Sequence, residues 1–190
     1  MRKRVLAVMT VAALAASALP AQAAWKSYVN RELGFSFRAP GELKTGSGSY
    51  RTELAGAHQA IVYSATEDDI EYKLTVVGFP PAAEGASILG ERESDFQEGK
   101  TVLIDTFARV ENGKDAVFGR KIVIDLPDHK GRTTAAFYFT KGKLLSLEAT
   151  VLPGNGDFAS PDPALFVDSI TFMLRRSEPG AIELATPKPQ

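Results

Sequence analysis

From Trp25 onward the apolar residues of this chain recur mainly at every second position, the spacing that sends alternate side chains to opposite faces of a sheet. Most of the domain is therefore predicted to be strand. Residues 25–29 and 35–39 read as a hairpin with 30–34 as its loop, and Pro40 ends the second strand. Phe35 and Phe37 fall on one face. A run of Gly and Ser over 46–49 reads as a flexible connector, and strands are expected over 50–54, 60–64 and 70–79. In the last of these Tyr72, Leu74 and Val76 alternate with Lys73 and Thr75.

Pro80 and Pro81 stop that strand, and the spacing then turns helical. Ser87 is the expected cap, Ile88, Leu89, Arg92 and Phe96 share a face, and Gly99 supplies the stop. Glu91, Glu93, Asp95 and Glu98 are expected to face water. A four-strand meander follows over 102–110, 116–126, 133–140 and 144–152, turning at Asn112-Gly113, Asp128-His129-Lys130-Gly131 and Lys141-Gly142. Phe118, Ile122 and Ile124 form one inward set, and Leu145, Leu147, Ala149 and Val151 another. After a loop over 153–159, Ser160-Pro161-Asp162 opens a short helix to about Ser169, which Leu165, Phe166 and Ile170 would pack onto the sheet. The residues alone thus predict an α+β domain of hairpin-connected strands with two helices, without fixing the strand order beyond neighbouring hairpins.

The first 23 residues have a different grammar. Arg2, Lys3 and Arg4 precede an uncharged stretch from Val5 to Leu19, and Ala21-Gln22-Ala23 supplies a small-x-small site. This reads as a signal peptide over 1–23, cut before Ala24, for Sec export to a bacterial periplasm or the medium. The apolar run is shorter than the roughly 20 residues that span a bilayer. The single domain is expected over 24–175, with 176–190 a disordered tail rich in proline.

Removing 23 of the 190 residues leaves 167, enough for one core that buries roughly 70% of the unfolded surface. The formal charge moves from −1 to −4, because the segment takes away three basic residues and no acidic ones. Mild acidity argues against a nucleic-acid partner. The chain has no cysteine, so its fold must hold without disulfides, and thiol catalysis, thiolate zinc sites and cysteine-linked lipid anchors are excluded.

Taken together, Tyr28-x-Asn30-x-x-x-Gly34-Phe35-Ser36-Phe37-x-x-Pro40, the meander and the closing Phe166-x-x-Ser169-Ile170-x-Phe172 resemble the PsbP-like superfamily. That group includes the extrinsic photosystem II protein, a nuclear-transport factor and many exported bacterial proteins. The resemblance implies an antiparallel sheet flanked by helices as an α/β/α sandwich, a role in binding or assembly, and Phe166, Ile170 and Phe172 in the core. It carries no functional residue to transfer. The calcium or manganese connection of the photosystem member is not implied, because the matching segments hold no ligand cluster.

Chemistry-bearing motifs are sparse. His58 and His129 are the only histidines, both placed in polar loops and read as surface residues. Glu67-Asp68-Asp69 lacks the ligand spacing of a calcium loop and reads as a solvated turn, as do Asn155, Asp157 and Asp162 beside the last helix. Neither a nucleophile elbow nor a phosphate-binding glycine loop is present. No catalytic residue, cofactor-binding residue or metal ligand is therefore nominated, and no cofactor is expected. Trp25, Tyr28, Tyr50, Tyr63, Tyr72 and Tyr138 could line a groove, Tyr138 being the first to test for exposure, although core filling suits most of them. The expectation is a binding or accessory protein acting through a surface or groove, with a protein or small-molecule partner in the cell envelope. A periplasmic hydrolase built from carboxylates and a histidine is the alternative, and an assembly factor whose sheet edge pairs with another chain is a third.

Overall fold

A computed structural model describes residues 24–172 and 180–186, so the expected signal peptide lies outside the described residues. Its elements run β1 (Trp25–Asn30), β2 (Phe35–Pro40), β3 (Lys44–Thr52), β4 (Gly56–Glu67), β5 (Ile70–Gly78), α1 (Gly85–Gln97), β6 (Thr101–Asn112), β7 (Asp115–Asp125), β8 (Arg132–Thr140), β9 (Lys143–Val151), α2 (Asp162–Val167) and β10 (Ile182–Glu183). The α+β architecture predicted from the period of two is what these residues form.

Seven strands make one antiparallel sheet in the order β3-β4-β5-β9-β8-β7-β6. Two runs of hairpins generate it, and they join where β5 pairs with β9. α1 carries the chain from the middle of the sheet to its far edge, lying across β8, β7 and β9. On the other face sit α2 and a small sheet of order β10-β1-β2. Because the middle strands are covered on both faces, alternate residues of β9 enter different cores: Leu145, Leu147, Ala149 and Val151 pack toward α2, and Leu144 toward α1.

The segments that carry the sequence resemblance meet in space. The ring of Phe37 on β2 stands edge-on to that of Phe166 on α2 at 6.1 Å. Ser36 and Thr171 exchange backbone bonds of 2.9 and 2.8 Å, and the Arg38 amide donates to Ser169 Oγ at 2.9 Å. Phe166, Ile170 and Phe172 are buried, as expected.

Several expectations are corrected. Residues 46–49 are not a connector but the centre of β3, whose glycines and serines suit a thin edge strand. Ser87 does not cap α1, which starts at Gly85 behind Glu84 without a side-chain cap. Gly99 does end the helix, at φ +67°. Glu93 turns partly inward to Arg120 at 3.7 Å instead of facing water. Leu165 points to solvent, because α2 is one short turn that presents Phe166 and Val167 to the sheet. Residues 180–186, expected within a disordered tail, return to the domain. β10 pairs parallel with β1, and the Leu184 amide donates to the Val29 carbonyl at 2.8 Å. Residues 1–23, 173–179 and 187–190 lie outside the described residues.

Candidate functional site

The longest hairpin of the chain, β6–β7, forms one side of the sheet. It turns at Gly113, whose φ of +72° is a conformation that side chains with a Cβ resist. β8 pairs with β7 only from Gly119 to Asp125, so the end of the hairpin projects as a two-stranded ribbon. Nine large apolar side chains are exposed among the described residues, and five of them lie here: Val102, Leu103, Ile104, Phe107 and Phe118.

Register explains why Phe118 is 63% exposed although it was assigned inward. It shares its face with Ile122 and Ile124, which α1 covers through Phe96. At 13 residues, however, α1 is only about 20 Å long at 1.5 Å per residue, and the 12 residues of β6 extend about 40 Å. The helix runs out before the ribbon does. Phe107, opposite Arg120, is 81% exposed on the same face. The Arg120 guanidinium lies over its ring at 4.7 Å and also binds Asp105 and Glu93. Burial pushes the Glu93 carboxyl above its usual range, Arg120 opposes this, and Asp105 adds to it. Between this face and the start of α1 runs a groove of about 380 Å³, lined by Gly85, Ala86, Leu89, Phe118, Phe139 and Thr140.

A second cleft, of about 420 Å³, opens at the β7–β8 turn and brings His129 together with Asp125, Asp128, Arg132 and Phe158. Asp128 and His129 both hold positive φ, 58° and 54°. Arg132 clamps Asp125 with bonds of 2.7 and 3.2 Å. That hydrogen bonding, more than the attraction of charge, holds the Asp125 carboxyl below the ordinary aspartate range. Asp125 is thereby fixed as an anion, and among the described residues Thr101 supplies the one side-chain hydroxyl of the lining.

A third hollow of about 290 Å³ lies under α1, lined in part by Tyr50, Lys73, Arg92, Ser146 and Glu148. Glu148 takes Arg92 at 2.8 Å and Lys73 at 3.1 Å, while Arg92 stacks on Phe137 at 4.7 Å. These contacts absorb the charges into a structural network.

The structure does not bring the two histidines together. His58 lies on β4 rather than in a loop, bonded to the Ala55 carbonyl at 2.9 Å and tilted on Phe79 at 4.5 Å. β5 and β9 separate it from the β7–β8 turn. Glu67 to Asp69 form a tight turn, with Asp68 and Asp69 at positive φ and Asn155 reaching the Asp68 carbonyl. No group of three His, Asp or Glu placed to hold a metal occurs among the described residues. Tyr138 is 3% exposed, not surface, and its face packs on Phe172. Tyr28, Tyr63 and Tyr72 are likewise buried, and Trp25 stands edge-on to Tyr72. The most exposed aromatic rings are Phe107 and Phe118, which alternation alone could not expose.

No family model matches this chain, and no curated protein matches it. Among solved structures it is similar to cyanobacterial PsbP (CyanoP) from Synechocystis, at 11% identity and a TM-score of 0.46, over 83% of this chain and 97% of that one. No helix among the described residues is long and apolar enough to cross a membrane.

Proposed function

We propose that this chain is an exported, soluble binding or accessory protein of PsbP-like architecture that acts through the β6–β7 hairpin and its groove. The supporting observation is the gathering of Val102, Leu103, Ile104, Phe107 and Phe118 on one projecting hairpin. Exposed apolar side chains gathered on one hairpin in this way cost solubility and suit a protein partner. The test is retention of envelope proteins on the immobilised protein from Ala24 onward, compared with the F107S/F118S double variant. Retention lost in the variant, with an unchanged circular dichroism spectrum, is expected; equal retention by both refutes the surface. Export is tested by intact mass, which should correspond to a chain starting at Ala24.

One observation favours a hydrolase as a second reading, namely that His129, Asp125 and Asp128 line the same cleft. The binding reading is preferred because Arg132 already occupies Asp125, the carboxylate needed to orient the imidazole. Hydrolysis of simple esters or phosphoesters that disappears in His129→Ala would reverse the preference.

A further inference from the structure

The two edges of the large sheet differ in kind. β3 is polar and rich in glycine, Lys-Thr-Gly-Ser-Gly-Ser-Tyr-Arg-Thr. β6, at the other edge, reads Thr-Val-Leu-Ile-Asp-Thr-Phe-Ala-Arg-Val-Glu-Asn and is exposed along most of its length. Edge strands leave backbone donors and acceptors unpaired, and proteins usually blunt them with lysine, proline or short length. β6 is 12 residues long and carries neither. Its one irregularity, between Val102 and Ile104, leaves the stretch from Ile104 to Asn112 in regular register. The exposed apolar groups follow this strand rather than one face: Phe107 shares the α1 face and Ile104 the opposite one.

We propose that β6 pairs antiparallel with β6 of a second copy, about a two-fold axis normal to the sheet at Phe107. The proposal rests on the reading of the hairpin as the interaction surface. Such an axis preserves faces, so every symmetric register is centred on a residue. Centred on Phe107, the register sets Asp105 against Arg109 at both ends, Ile104 against Val110, Thr106 against Ala108, and the two Phe107 rings against each other. Charge decides against the neighbouring registers. Centring on Ala108 sets Asp105 against Glu111, centring on Asp105 or Arg109 opposes like charges at the axis, and centring on Thr106 leaves Asp105 against Phe107. Among the described residues Arg109 reaches Glu111 of its own strand, an exposed pair that can be exchanged at little cost. Asp105, which already accepts from Arg120 and Gln97, takes Arg109 of the second copy as a further donor, since a carboxylate has about four lone-pair sites. Each Arg120 already lies over its Phe107 ring, so the aromatic pair would be flanked by cations.

The absence of cysteine makes the register directly testable. Opposed residues on paired strands lie about 5 Å apart, within disulfide reach. Phe107→Cys should therefore crosslink to its twin on mild oxidation. Thr106→Cys should not, since its twin would lie roughly 8 Å away after a two-residue offset. Sedimentation of the cysteine-free protein from Ala24 onward, up to about 1 mM, should show a dimer that R109E weakens by about tenfold or more, because like charges then face Asp105. A monomer throughout that range, or equal crosslinking of both cysteine variants, overturns the proposal. If the protein is monomeric while partner retention still depends on Phe107 and Phe118, self-pairing alone fails; if that dependence is absent too, the surface reading fails with it.

Discussion

At the scale of single residues, the side chain that joins most of the small sheet is Asn30. Fully buried, it donates to Tyr63 Oη and Thr186 Oγ1, each at 3.1 Å, and accepts the Leu33 amide at 2.8 Å. One amide thus ties the β1–β2 loop to the large sheet and to the returning C-terminal segment. Asn30→Ala would orphan these partners, and urea denaturation should show a loss of about 2–4 kcal/mol. The tyrosines give a second prediction. All five are pushed above the ordinary tyrosine value of 10.0, with desolvation the first cause in each, and Tyr138 reaches about 12. For an acid whose folded pKa is raised, the stabilising contribution is whole below the unfolded value and is lost as pH climbs through the folded one. Phenolate absorbance should therefore stay low through pH 10 and rise together with alkaline unfolding. A smooth titration centred near 10 in the native protein would contradict the burial of these rings.

Elements show where sequence reasoning reaches and where it stops. Alternation located the β-strands well, because a residue's face depends only on its neighbours along the strand. Coverage of that face is a property of another element. Phe118 follows the same alternation as Ile122, yet one meets α1 and the other meets solvent. The candidate surface was illegible for that reason, and the β7–β8 cleft because Asp125 and Phe158 come together only in the fold. The turn read at Glu67-Asp68-Asp69 forms without glycine, through Asp68 and Asp69 at positive φ. Gly119 marks a close approach within the sheet: a Cβ there would run into the Phe137 carbonyl and the Tyr138 ring. Gly119→Ala should cost about 1–3 kcal/mol by thermal or urea unfolding. Phe118→Ser, at an exposed position on the same strand, should change stability by less than about 0.5 kcal/mol.

For the whole molecule, three layers divide the work: α1 closes one face, while α2 and the small sheet close the other. The resemblance motifs were informative here because they are packing motifs, and they meet at Phe37 and Phe166. The tail could not be read in advance, since two strand residues and a few side-chain bonds leave no periodic trace. Ending the chain at residue 179 should lower the urea midpoint by an amount comparable to Asn30→Ala, because both remove the Asn30–Thr186 bond. Combining the two changes should give less than the sum of their effects.

The parallel pairing of Tyr28 and Val29 with Ile182 and Glu183 also has a temporal meaning. The first strand of the described domain receives its outer neighbour from a segment that follows all its other elements in chain order. The small sheet therefore cannot close until that late segment has been made, so the rest of the domain must persist for a time with the outer side of β1 open.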